Sequence, residues 1–167
     1  MTTIANQHFI EALLVVLDET FDNVRGIYLD QGTSLFETLA GITAEEASIP
    51  VGGQCATLAA QVKHVAFYLN VVDQSVRAPN SLEVDWNEIW RTVSGVTPEE
   101  WVAIQDELRA SYRRIVALIN DTPDWNNMRA VGGAIGVVAH TAYHLGEIRQ
   151  ALCSIRMSPT DRRVIGL

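Results

Sequence analysis

The sequence predicts an all-α protein, a four-helix bundle with three histidines facing its interior. Two observations predict it. Four long stretches repeat apolar residues at spacings of three and four, and none alternates with the period of two that a half-buried strand needs. Three of the four histidines, His64, His140 and His144, fall on the inward side of two of those stretches.

The first stretch places Ile10, Leu13, Leu14, Leu17, Phe21, Val24 and Tyr28 in register, which predicts a helix from about residue 5 to residue 28. Two short helices follow. Ser34 with Glu37 forms a capping box for one that Gly41 ends, and Thr43 with Glu46 forms another before Pro50. The second long helix is expected from near Gln54, after Gly52 and Gly53, to about Val76. Its buried stripe is Leu58, Val62, Val65, Leu69, Val72 and Val76. The third has the clearest start: Thr97 is a good N-cap, Pro98 suits the first helical position and Glu100 closes a capping box. Its inner face is Trp101, Ile104, Leu108, Tyr112, Ile115 and Ile119, and Pro123 bounds its end. The fourth begins between Asn126 and Gly132 and reaches Met157, where Ser158 and Pro159 stop it.

The connection from about Arg77 to Val96 is the longest. A helix of roughly 22 residues is about 33 Å long, whereas some 20 residues of extended chain span about 66 Å. The connection can therefore cross the whole bundle and let the third helix run parallel to the second. It carries Trp86 and Trp90, one helical turn apart, expected to plug an end or side of the core.

Composition sets the remaining bounds. A chain of 167 residues, 48% apolar and 19% charged, fits one folded domain over residues 1–167. A net charge of −8, with Lys63 as the only lysine, argues against binding nucleic acid. The N-terminus lacks a signal-peptide pattern, and the longest uncharged stretch, near Val131–Ala139, is too short to span a bilayer. A soluble cytoplasmic protein is expected, without membrane partners. Cys55 and Cys153 lie in apolar-looking stretches and are expected as buried free thiols.

The histidines carry the chemistry. On the helical wheel His140, His144, Glu147 and Ala151 fall within about 60° of one another. Arg149 and Arg156 lie opposite, so the histidines point inward. On the second long helix the polar face centres on Lys63, Asn70, Asp73 and Arg77. His64 lies roughly 130° from that centre, with Gln61 and Tyr68. A single inward histidine is more often a hydrogen-bonded core residue than a ligand. Three converging imidazoles are harder to dismiss, because each neutral ring brings polar nitrogens that must be satisfied. A pair at i, i+4 plus a third from a neighbouring helix can chelate one divalent ion. No Glu-x-x-His occurs, which excludes the ferritin-type di-iron ligand set. Thr141 follows His140, so the zinc-protease helix is excluded too. His8 receives no role.

Three neutral imidazoles suit zinc, nickel or iron(II) and disfavour magnesium or calcium. Glu147 is the candidate catalytic residue, as a base or as a hydrogen-bonding partner of a ligating ring. Tyr68 and Tyr143 flank the same faces and are expected to pack. Gly133 and Gly136 fall on the histidine face, where they leave room for a substrate or allow close helix packing.

The inward His64 in Gln-Val-Lys-His, the segment His140-Thr-Ala-Tyr-His144-Leu-Gly-Glu147-Ile-Arg-Gln and the crossover Asp85-Trp86-Asn-Glu-Ile-Trp90 occur in this order over nearly the whole chain. In these features the chain resembles the DinB-like superfamily. That resemblance implies an up-down-down-up bundle, a homodimer, and one divalent ion, zinc or nickel foremost, on His64, His140 and His144. It also implies a small-molecule substrate and, as in the thiol-dependent S-transferases of the family, a low-molecular-weight thiol. The family often has glutamine where this chain has Glu147, which leaves open whether Glu147 is a ligand, a base or a group bonded to a ligand. The expected function is metal-dependent S-transfer or hydrolysis. The alternatives are a non-catalytic metal or small-molecule binding protein on the same scaffold, and a metal-free bundle that dimerises through an apolar helix face.

Overall fold

A computed structural model describes residues 4–51, 55–78 and 83–157. Among them the chain is all-helical, with no strand beyond one isolated bridge between Pro50 and Thr57. The elements are α1 (Asn6–Phe21), α2 (Leu35–Ala40), α3 (Ala44–Ala47), α4 (Leu58–Arg77), α5 (Glu88–Thr92), α6 (Pro98–Asp121) and α7 (Met128–Arg156). Helix α4 packs most extensively on α6 and then on α7, while α1 packs on α7 and α6. The shared core includes Leu17, Leu58, Val62, Leu108, Leu145 and Ile148, none more than 2% exposed. Each such side chain contributes about 1.5–3 kcal/mol by leaving water.

The capping chemistry forms as expected. Ser34, Thr43 and Thr97 each accept the backbone N–H three residues on, and Glu37, Glu46 and Glu100 each reach back to the cap N–H. Pro98 opens α6, and Gly41 follows α2. Helix α4 begins one residue after its N-cap Thr57. The expected start at Gln54, with Gly52 and Gly53, lies outside the described residues, as do Ser158 and Pro159.

Three expectations are corrected. First, α1 ends at Phe21 and not near Tyr28. The cause is Glu19, whose side chain is fully buried. Its carboxylate accepts the backbone N–H groups of Arg25 and Ile27 at 3.0 Å, and those of Tyr28 and Leu29 at 2.8 Å. Satisfying a buried carboxylate this way wraps the chain into a loop, and Gly26, at φ 79°, makes the turn. Tyr28 closes it by donating to Thr20 Oγ1 at 2.5 Å. Second, the polar face of α4, set opposite the inward histidine, does not simply face solvent: Lys63 and Asn70 meet helix α6, while Arg77 is exposed. Lys63 pairs with Glu107, and Asn70 Oδ1 accepts from Ser111 at 2.9 Å and from Arg114 at 2.6 Å. Third, Cys55 and Cys153 are free thiols but exposed. Cys55 sits in the segment before α4, and Cys153 shares the outward face of α7 with Arg149 and Arg156.

Candidate metal centre

Helix α4 supplies His64 and α7 supplies His140 and His144. His64 follows the core residue Val62 and precedes Val65, so the register that buries the stripe carries the imidazole inward. On α7 the i, i+4 spacing stacks the other two rings on one side. His64 and His144 are 7% and 6% exposed, and His140 is half-buried. The ring centroids form a compact triangle: 5.2 Å from His64 to His140, 4.9 Å from His64 to His144, and 4.5 Å from His140 to His144. One nitrogen of each ring lies within 4.8 Å of the others, a spacing that small side-chain rotations can close onto one ion.

The residues fit a cation by their unmet chemistry. His64 Nδ1 and His140 Nε2 are buried and have no hydrogen-bond partner, and buried His144 Nδ1 has only the Glu147 carboxylate, at 2.8 Å, beside it. A buried polar atom without a partner costs about 1–3 kcal/mol, so two of them on rings that converge with a third mark a site built for something the protein chain does not supply. Burial holds all three imidazoles below their usual range. His64 and His140 fall to about 4, the charge on His144 adding to the effect of burial. For His144 burial also dominates, with Glu147 opposing it. The rings are thus neutral at pH 7, with lone pairs free for a metal. The three close histidines can hold a metal ion.

Glu147 is brought to the site beside His144. Its Oε2 lies 2.8 Å from His144 Nδ1, so the carboxylate pairs with that ring. It stands outside the trio whose nitrogens converge. Ala151 is buried one turn further on, and Arg149 and Arg156 face outward as the wheel requires. His8 is exposed on the first turn of α1, far along the sequence from the cluster.

Each histidine has an aromatic neighbour. Tyr68 stacks on His140, Trp90 lies 4.6 Å from His64 between ring centroids, and Tyr143 meets His144 edge-on at 5.1 Å. Trp86 extends the group by contacting Phe67 and Tyr68. The crossover tryptophans therefore do not plug the core. They are 44% and 39% exposed and lie over the α4 face that carries His64, while α5 is anchored by the buried Ile89. Their spacing flagged a shared face; where that face docks depends on how the crossover folds back, which no local pattern encodes. The two glycines also separate. A Cβ on Gly136 would sit 3.4 Å from the Tyr68 hydroxyl, whereas one on Gly133 would meet nothing within 4 Å. Close helix packing is thus not the reason for Gly133.

No helix among the described residues is long and apolar enough to cross a membrane. Comparison of the chain with protein-family models, curated proteins and solved structures finds no match.

Proposed function

We propose that the chain is a metal-dependent enzyme of the DinB-like type, holding one divalent transition-metal ion on His64, His140 and His144 and acting on a small molecule by S-transfer or hydrolysis. The observation that carries this reading is the convergence of three buried or half-buried neutral imidazoles, two of them with unpartnered ring nitrogens, within 4.8 Å of one another. An all-nitrogen donor set favours zinc or nickel, then iron(II), over magnesium or calcium. Such an ion lowers the pKa of water or of a thiol, making hydroxide or thiolate accessible near neutral pH.

The chain's own residues supply the rest. The imidazoles are kept neutral by burial and need lose no proton to bind. Glu147, beside His144, orients that ring and accepts the proton that a thiol or water gives up. Trp90, Tyr68 and Tyr143 screen the rings from water on their open sides. In this reading α1, α4, α6 and α7 are the four helices of an up-down-down-up bundle, α5 lies in the crossover, and the working unit is a homodimer in the cytoplasm.

The test is turnover of an electrophile with a low-molecular-weight thiol, before and after chelation and after returning zinc, nickel or iron(II). Thiol-dependent turnover that chelation removes and one of these metals restores supports the enzyme. A retained ion with no turnover across a panel of thiols and hydrolysable esters supports a binding protein instead.

A further inference from the structure

A second site lies apart from the histidines, where α7 begins. Helices α4, α6 and α7 leave a pocket of about 110 Å³ between them, walled by Val72, Val76, Ile115, Ile119, Trp125 and Val137. An apolar cavity of about 150 Å³ in another protein stays dry and takes up benzene; this space is smaller but open on one side, so it suits one ring or a short acyl chain whose polar end stays at the mouth. Gly133 lines it too, and nothing lies within 4 Å of where its Cβ would be. A glycine inside a helix costs about 1 kcal/mol relative to alanine. Gly133 is itself exposed, so a side chain there would stand at the opening of the pocket it lines.

The rim has one cation. Arg129 borders the apolar space and also a shallower depression outside it, shared with Ser75 and Asn127. Among the described residues its guanidinium has neither an ion pair nor a hydrogen bond, unlike Arg77, Arg91 and Arg156, which are all paired with carboxylates. It stands on the first turn of α7, whose dipole adds positive potential. Trp125, on the wall, carries a buried indole N–H that also lacks an acceptor. An apolar interior with an unpaired cation at its mouth matches an apolar body with an anionic head.

We propose that this pocket binds a small monocarboxylate with an apolar body the size of benzoate, its carboxylate on Arg129. The site does not rest on the metal reading. Tyr68 stacks on His140, and Val72, on the pocket wall, lies one turn further along α4.

The experiment is calorimetric titration of the full chain with benzoate and with benzyl alcohol, with and without a chelator. Benzoate should bind at one per chain, equally in both conditions. In Arg129→Gln its affinity should fall about tenfold or more, the loss of one charge-assisted contact, while that for benzyl alcohol is unchanged. Gly133→Leu should abolish binding of both while circular dichroism shows the helices intact. Absent benzoate binding, equal affinity in Arg129→Gln, undiminished binding in a folded Gly133→Leu, or loss of binding on chelation would each overturn the proposal. A chelator-insensitive benzoate site with no metal uptake would sink the metal reading alone.

Discussion

The phenol ring of Tyr68 stacks on the imidazole of His140, with centroids 3.8 Å apart and planes 24° from parallel. The contact joins α4 to α7 at the histidine cluster, so it fixes the His140 ring through the other helix's packing. Tyr68→Phe keeps the stack and removes a hydroxyl, and should leave stability within about 0.5 kcal/mol. Tyr68→Ala removes the ring, and should cost about 1–3 kcal/mol and weaken metal binding about tenfold by freeing His140. Urea unfolding and metal titration of the two variants check both. Equal metal affinity in the alanine variant would show that His140 is held by something else.

Acid sensitivity should track Glu19. Burial pushes its carboxyl up, but the N–H groups of Tyr28, Leu29, Ile27 and Arg25 outweigh it and hold the pKa at about 2, against an ordinary 4.5. A carboxyl depressed on folding stabilises fully above its unfolded pKa and ceases to as pH falls through its folded one. Between about pH 4.5 and 2 the parent should therefore lose stability that Glu19→Gln never had. The amide also cannot accept four N–H groups equally, so the variant should be weaker at pH 7. Parallel acid-dependence curves for the two proteins would count against the loop's dependence on this carboxylate.

How much of this was legible in the sequence divides by the range of the interaction. The caps at Ser34, Thr43 and Thr97 were readable because each motif closes within four residues. The histidine face was readable because helical periodicity converts sequence spacing into direction. The end of α1 was not, because the acceptor Glu19 and its donors, out to Leu29, are linked by a loop while the apolar spacing runs on through Val24 and Tyr28. What the polar side of α4 meets was illegible for a related reason. Lys63 and Asn70 look solvent-facing by chemistry, and only their partners Glu107, Ser111 and Arg114, more than 40 positions away, reveal a helix interface. Trp86 and Trp90 were read as core for their size, although the segment that carries them buries only Ile89 deeply.

Trp90 gives the site its own optical reporter. Its ring lies 4.6 Å from that of His64, whereas Trp101 is buried with its indole N–H on Ile42 O at 2.8 Å, and Trp125 packs on Phe9. An open-shell ion such as nickel(II), bound among the histidines, should quench the fluorescence of the nearest indole, and closed-shell zinc should not. Trp90→Phe should remove the larger part of that quenching. Quenching of the same size in the variant would put the ion away from His64.

The central claim is that these imidazoles hold one cation. Binding at a concentration about a hundredfold above the dissociation constant adds about 2.7 kcal/mol, or roughly 5–10 °C in melting temperature for a chain of this size. The most direct measurement is the number of metal ions per chain, by elemental analysis after equilibration with zinc and with nickel. It is made on the parent and on His64→Ala, His140→Ala and His144→Ala. The account predicts one ion per chain in the parent and none retained in any of the three variants. A parent that takes up neither metal, or variants that hold as much as the parent, would contradict it.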